Sequence, residues 1–258
     1  MERSDIAYLI NSCPNYYYIL DLHLGLLRRY ASSCKWPIYF ATEEPGHKIS
    51  ILLKEKYGVN ILVLEKENSS FLSSRKRAIE LLPENIKYVI PMQEDFLLER
   101  YINTNLIEES LEILDKEEGI DIFCIRYMPC PGPHKDNINY RYNWKQISNK
   151  DTYRFCFQAS IWKRNECQEW YNAICNEVQK RGRKELELKM NIAENEIGQS
   201  LFLSLFKHKF IIGYIRDHKE PNAVYMSPWP YRPTAIIKGV LQPFAIELAE
   251  REGFKLSV

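Results

Sequence analysis

The 258-residue chain is expected to be an α/β protein with a mostly parallel central sheet flanked by helices. Three observations predict this. Through the first hundred or so residues, short apolar runs alternate with segments of helical spacing, the pattern of a parallel sheet covered on both faces. One run, Tyr88-Val89-Ile90 with Met92, stops on Gln93, Glu94 and Asp95. A buried strand that ends this way delivers two carboxylates to a sheet edge, where ligands bind in open α/β folds. The second half is less regular, yet no repeat or linker divides the chain, which predicts one domain over residues 1–258.

The elements follow in order. Asp5–Asn11 suits a first buried strand, broken by Ser12-Cys13-Pro14-Asn15, and Tyr16–Tyr30 has Leu20, Leu24 and Leu27 at helical spacing. Trp36–Thr42 is a second strand, His47–Tyr57 a helix, Val59–Leu64 a third strand and Arg75–Leu82 a helix leading into the acidic strand. Asn103–Lys116 is an amphipathic helix with Leu106, Ile107, Leu111 and Leu114 on one face. Asp121–Tyr127 reads as a strand, Met128–Asp151 as a long loop rich in proline and aromatics, and Arg154–Trp162 as a strand. Lys163–Gln179 and Asn191–Lys207 are expected helices, Phe210–Ile215 a strand, Met226–Pro233 a turn, and Gln242–Glu252 a last helix ended by Gly253.

Composition excludes several classes. Thirty-five Lys and Arg against 34 Asp and Glu leave no electrostatic footprint for a nucleic-acid partner. No apolar stretch reaches the ~18 residues needed to span a bilayer. Seven cysteines show no CxxC spacing, and Met1–Asp5 does not open a signal peptide, so reduced thiols in a cytoplasmic setting are expected. The isolated glycines form neither GxGxxG nor GxxxxGK[ST], so any phosphate must be held by side chains or a metal. A GxSxG elbow is also missing.

Loops at the carboxyl ends of the strands should converge in one crevice. It would hold Asn11 and Ser12 from the first strand, Thr42 and Glu43 from the second, and Gln93, Glu94 and Asp95 from the fourth. Adjacent acids there suit a divalent cation shared with a phosphate, because hard cations prefer oxygen ligands. Arg75 could reach a diphosphate, and Tyr16 could stack on a base. Each has a plain alternative: a solvated strand end for the acids, a solvated helix end for Arg75, core packing for Tyr16.

The segments IAYLINSCPNYYYILDLHLGLLRRY, WPIYFATEE, SSRKRAIELL with YVIPMQEDFLL, FCFQASIWKR and AENEIGQSLF resemble those of GT-A glycosyltransferases. More closely, they are similar to small nucleotide-sugar transferases of polysaccharide gene clusters and large DNA viruses. The resemblance implies a GT-A-like domain with a nucleotide-sugar-binding half (1–100) and an irregular acceptor-binding half (101–258). It implies transfer of a sugar from a nucleotide sugar, with UDP as the nucleotide, to an acceptor hydroxyl on a glycan. A cation, Mn2+ or Mg2+, would sit on Asp95 at the diphosphate, with His218 as a further ligand and a solvated histidine as the alternative. The acceptor-side base would be Glu196 or, with the helix phase shifted, Glu194; both are otherwise explained by the helix dipole. One departure stands out. The family's motif is usually Asp-x-Asp, whereas this chain has Gln93-Glu94-Asp95. An amide can still hydrogen-bond a ribose, and a metal-independent variant is compatible with it. Two rivals remain: a catalytically inactive relative that binds carbohydrate or protein, and a nucleotidyltransferase. The latter would need a glycine-rich basic loop where Ser12–Tyr16 stands.

Overall fold

The first apolar run becomes β1 (Ile6–Asn11), buried along its whole length. Ile6, Tyr8 and Ile10 face one layer of the core, and Ala7 and Leu9 face the other. A strand with no polar face belongs inside a sheet. β2 (Ile38–Thr42), β3 (Asn60–Val63) and β4 (Tyr88–Gln93) run parallel with it. Later in the chain come β5 (Ile122–Met128), β6 (Ile138–Arg141), β7 (Trp144–Gln146), β8 (Ile161–Lys163) and β9 (Phe210–Ile215). Together they form one nine-stranded sheet in the order β3-β2-β1-β4-β8-β5-β9-β7-β6. β7 and β8 run against the rest, so the sheet is mostly parallel as the sequence predicts. The computed structural model describes residues 3–67, 69–116, 121–128, 138–141, 143–151, 154–182, 192–215, 228–232 and 234–256.

Helices cover both faces. α1 (Leu20–Tyr30), α2 (Lys48–Tyr57), α4 (Thr104–Lys116) and α7 (Pro243–Glu252) bury their apolar residues in one layer. α3 (Phe71–Glu80), α5 (Arg164–Arg181) and α6 (Glu196–Leu205) do so in the other. Local chemistry sets their ends. His47 caps α2 by accepting the Ile49 N–H, and Ser70 and Ser73 form a reciprocal capping box at the start of α3. Gly58 and Gly253 stop α2 and α7 in the left-handed conformation. Among the described residues no helix is long and apolar enough to cross a membrane.

Several boundaries differ from expectation. Pro14 opens a 3-10 turn, Pro14–Ile19, and α1 begins only at Leu20. The stretch Met128–Asp151, expected as loop, contains β6 and β7, with Asn143 at φ 60° between them. Residues 129–137 and 142 of it lie outside the described set. Arg154–Trp162 is not one strand: only Ile161–Lys163 is. The amides of Phe155, Phe157 and Ala159 are taken by the Gln199, Glu194 and Tyr231 side chains instead of by a neighbouring strand. The helix expected from Asn191 starts at Glu196, because Asn195 folds its side chain onto the Ile197 and Gly198 amides and caps it there. A two-residue hairpin, β10 (Ile236–Ile237) with β11 (Val240–Leu241), precedes α7 and has no counterpart in the sequence reading.

Gly198 has a steric rather than a conformational reason. A Cβ there would lie 2.3 Å from the carbonyl oxygens of both Ile192 and Ala193, backbone that cannot swing aside. Gly198→Ala is therefore expected to destabilise the fold by about 1–3 kcal/mol, the usual cost of overpacking. Urea unfolding should show a lower midpoint with an unchanged slope.

Candidate functional site

β1 lies between β2 and β4, so the chain leaves β1 in one direction and returns on its other side. Such a switch point opens a crevice at the carboxyl ends of the two strands. The register places Asn11, the last residue of β1, directly beside Gln93, the last of β4. Asn11 is buried and reaches the Ser74 carbonyl at the start of α3 (3.4 Å). Ser12 is buried beside it. On the far side of β4, pairing with β8 stops at Val89, two residues before Pro91, which has no N–H to give a ladder. A small recess begins there and is lined by Asn11, Arg75, Gln93, Phe157, Gln158 and Tyr171.

After Gln93 the chain turns at once, closed by the Phe96 N–H on the Gln93 carbonyl (3.2 Å). Asp95 is only 7% exposed. Its Oδ2 accepts the Ile236 N–H at 3.4 Å and its carbonyl accepts the Ala235 N–H at 3.3 Å. Oδ1 is buried without a hydrogen-bond partner. Burial raises the Asp95 carboxyl above its ordinary range, opposed by the Ile236 amide and by Arg75. Glu94, half-buried, is pushed up to about 7 by burial; Arg75 and the Ser12 hydroxyl pull the other way, and Asp95 adds to the rise.

Arg75, on the inner face of α3, is 8% exposed. Its guanidinium stacks 3.5 Å above the Phe71 ring and donates to the Phe71 carbonyl at 3.0 Å. Burial lowers its pKa, while Tyr171, Glu94 and Asp95 favour the charge. Among the described residues no carboxylate forms an ion pair with it. A buried cation thus stands within electrostatic reach of one buried and one half-buried acid and pairs with neither among the described residues.

The remaining expected residues divide. Tyr16 is half-buried, its phenol raised by desolvation and then by the charges of Cys13, Glu94 and Asp95. Thr42 is fully buried, and its hydroxyl is engaged by the Tyr17 phenol and the Glu44 N–H. It braces the loop after β2. Glu43 binds the Ser69 and Ser74 hydroxyls, both at 2.6 Å, tying that loop to α3. Glu194 is half-buried; Oε1 accepts the Phe157 N–H at 2.8 Å, and burial raises its carboxyl against the pull of that amide and of Arg126. Glu196 is exposed in the first turn of α6. His218 lies outside the described residues, as do 226–227 and 233 of the Met226–Pro233 turn.

Sequence reasoning missed three contributors. Gln199 bonds both the N–H and the carbonyl of Phe155, imitating a strand (3.1 and 2.8 Å). Tyr231 stacks on Phe96 and accepts the Ala159 N–H. The hairpin root at Ala235 and Ile236 holds Asp95. Only Tyr231 left a signal, as an aromatic inside a proline-rich turn.

The residues present fit a divalent cation in one respect: the orphaned Asp95 Oδ1 is a hard oxygen just beyond the end of β4. No group of three or more His, Cys, Asp or Glu side chains converges among the described residues. A cation there would draw most of its shell from ligand oxygens and water.

No protein-family model and no curated protein sequence matches the chain. Among solved structures it is similar to the 4-diphosphocytidyl-2C-methyl-D-erythritol synthase of Anaerococcus prevotii, with a TM-score of 0.46 and 11% identity over 85% of this chain and 94% of that one. It is also similar to S. aureus TarS 1-349 in complex with UDP-GlcNAc, with a TM-score of 0.46 and 13% identity over 84% of this chain and 60% of that one. The apo-form glycosyltransferase GlyE of Streptococcus pneumoniae gives a TM-score of 0.49 and 11% identity, over 99% of this chain and 62% of that one. The chain thus spans less than two thirds of the TarS and GlyE structures, and its likeness to all three is one of overall shape.

Proposed function

We propose that the chain is a glycosyltransferase that moves a sugar from a nucleotide sugar, with UDP as the nucleotide, to an acceptor hydroxyl on a glycan. The observation that carries this reading is Asp95 Oδ1, a buried carboxylate oxygen without a partner, held near Arg75 at the switch point of a parallel sheet. The sequence resemblance stated above supports it independently.

In this reading Asn11, Ser12, Tyr16 and Gln93 receive the nucleoside, with Tyr16 against the base and the Gln93 amide on the ribose. Arg75 would hold the diphosphate, and Asp95 would hold a Mn2+ or Mg2+ ion beside it. Such a cation would supply Lewis-acid stabilisation of the leaving group. Arg75 adds a fixed positive charge in a water-poor setting, where it counts for more than in bulk solvent. Glu94 stands beside both, and its proton leaves when positive charge arrives. Of the two glutamates, Glu194 suits the acceptor-side base if transfer inverts: it is partly desolvated and bound to the Phe157 wall of the recess, whereas Glu196 is exposed.

Gln93 favours a second reading, an inactive relative that binds carbohydrate, since an amide brings no charge to a cation. The two differ in nucleotide affinity. Calorimetric titration with UDP, with and without Mn2+, is expected to show binding that strengthens with the metal. Asp95→Asn keeps a hydrogen-bonding oxygen but removes the charge, and should weaken the Mn2+-dependent part by about 100-fold. Binding equal to wild type in that variant would remove Asp95 from the cation site. No affinity for UDP, GDP or dTDP would leave the carbohydrate-binding reading.

Glu94 yields a further prediction. With its carboxyl raised to about 7 in the folded state, the native protein holds a proton that the unfolded chain releases at lower pH. Between the ordinary carboxylate range and about pH 7 the folded state binds more protons, so this group's contribution to stability falls as pH rises and levels off above 7. Glu94→Gln should flatten that slope and gain up to about 3 kcal/mol at pH 8. Urea unfolding at pH 5 and pH 8 compares the two proteins, and parallel pH dependence in both would contradict the assignment.

A further inference from the structure

The turn that carries the acids is also gripped from behind, by α1. Phe96 ends the turn. Its N–H is used by Gln93, and its ring stacks on Tyr231 with centroids 4.4 Å apart and planes at 14°. Its carbonyl lies 3.1 Å from Nδ1 of His23. A carbonyl can only accept, so Nδ1 carries the hydrogen and Nε2 keeps the lone pair.

His23 is 1% exposed and sits among the apolar residues of α1, with Leu20, Leu24 and Leu27 on the same buried layer. Nε2 is buried with no hydrogen-bond partner. Burial pushes the ring's pKa down to about 4, so it stays neutral and the contact is constant through the physiological range. An imidazole with one unpaired nitrogen is a costly occupant of an apolar layer, since a buried polar atom without a partner forgoes the hydrogen bonds it made in water. Leucine would fill the same layer without that cost. What the imidazole adds is a donor for the Phe96 carbonyl.

We propose that His23 is a positioning residue for the acidic turn, holding the Phe96 carbonyl and with it the backbone that fixes the Asp95 carboxylate, whose Oδ1 is left without a protein partner. With both the N–H and the carbonyl of Phe96 engaged, the backbone after Asp95 cannot rotate. The Ile236 amide then holds Oδ2. The carboxylate is set before a ligand arrives, and ordering it costs nothing at binding. The ligand this serves is a nucleoside diphosphate with its cation, so the proposal rests on the reading of Asp95 given above.

Two variants separate positioning from packing. His23→Leu fills the layer but removes the donor; His23→Asn returns an N–H near the place of Nδ1. Both are expected to fold, as checked by thermal unfolding. Titration with UDP and Mn2+ should show His23→Leu weaker by about tenfold, the worth of one lost hydrogen bond and a misplaced ligand. His23→Asn should recover most of that loss. Amide hydrogen exchange gives a readout that needs no nucleotide: exchange over residues 94–98 should quicken in His23→Leu, slow again in His23→Asn, and stay unchanged over β1. Unchanged exchange in His23→Leu, or equal loss in both variants, would overturn the proposal. Altered exchange in a protein that binds no nucleotide at all would support the clamp and overturn the glycosyltransferase reading instead.

Discussion

Burial of two carboxylates and a guanidinium at one end of a parallel sheet is the interaction on which the crevice depends. None of the three groups neutralises another by direct contact. Glu94 and Asp95 lie within electrostatic reach of Arg75, and each of the three pays in desolvation for its place. A fold optimised for stability alone would pair them or replace them, because an unpaired buried charge is among the costlier features a core can hold. That cost is carried by the surrounding sheet, where β1 and β4 bury apolar side chains on both faces. The register between these strands is as important as the groups. A slip of one residue would turn Gln93 and Asn11 away from one another and move every side chain of β4 to the opposite face.

The crevice is assembled from distant parts of the chain. α1 supplies His23 behind the turn, α3 supplies Arg75, the segment before β8 supplies Phe157 and Gln158, and the hairpin before α7 supplies two amides to Asp95. The second half therefore does not simply sit beside a finished first half. Trp229 is fully buried and donates its indole N–H to the Tyr8 hydroxyl on β1, while Tyr231 bridges Phe96 and the Ala159 amide. Through these contacts residues near 230 brace the strand and the turn that carry the site.

The first hundred residues were legible because two-sided burial writes continuous apolar runs, and helices covering them keep a helical period. Leu20, Leu24 and Leu27 all fall in the core layer their spacing predicts. The acidic strand end was legible for the same reason. Legibility failed where side chains replaced backbone partners. Arg154–Ser160 reads as a strand because it is apolar, yet Gln199, Glu194 and Tyr231 satisfy its amides from three different elements, which no local pattern records. The β10–β11 hairpin has two residues per strand, too few for a period to show. Glu194 and Glu196 could not be separated because a single cap decides helix phase. Asn195 turns the chain, so one glutamate meets Phe157 and the other meets solvent.

Gln93 is best understood through the charge balance of this crevice. Two carboxylates already stand at the end of β4, and desolvation raises both, with Glu94 close to half-protonated near neutrality. A third acid at position 93 would sit beside them in register with Asn11, adding like-charge repulsion where, among the described residues, no lysine or arginine forms an ion pair with them. An amide avoids that repulsion and retains a donor and an acceptor. In the proposed reading, one orphaned carboxylate oxygen would hold a bare cation only weakly, and a diphosphate would bring the oxygens that complete a hard ion's shell. Metal and nucleotide would then bind better together than apart, a positive coupling between two ligands that each leave the other's site incomplete.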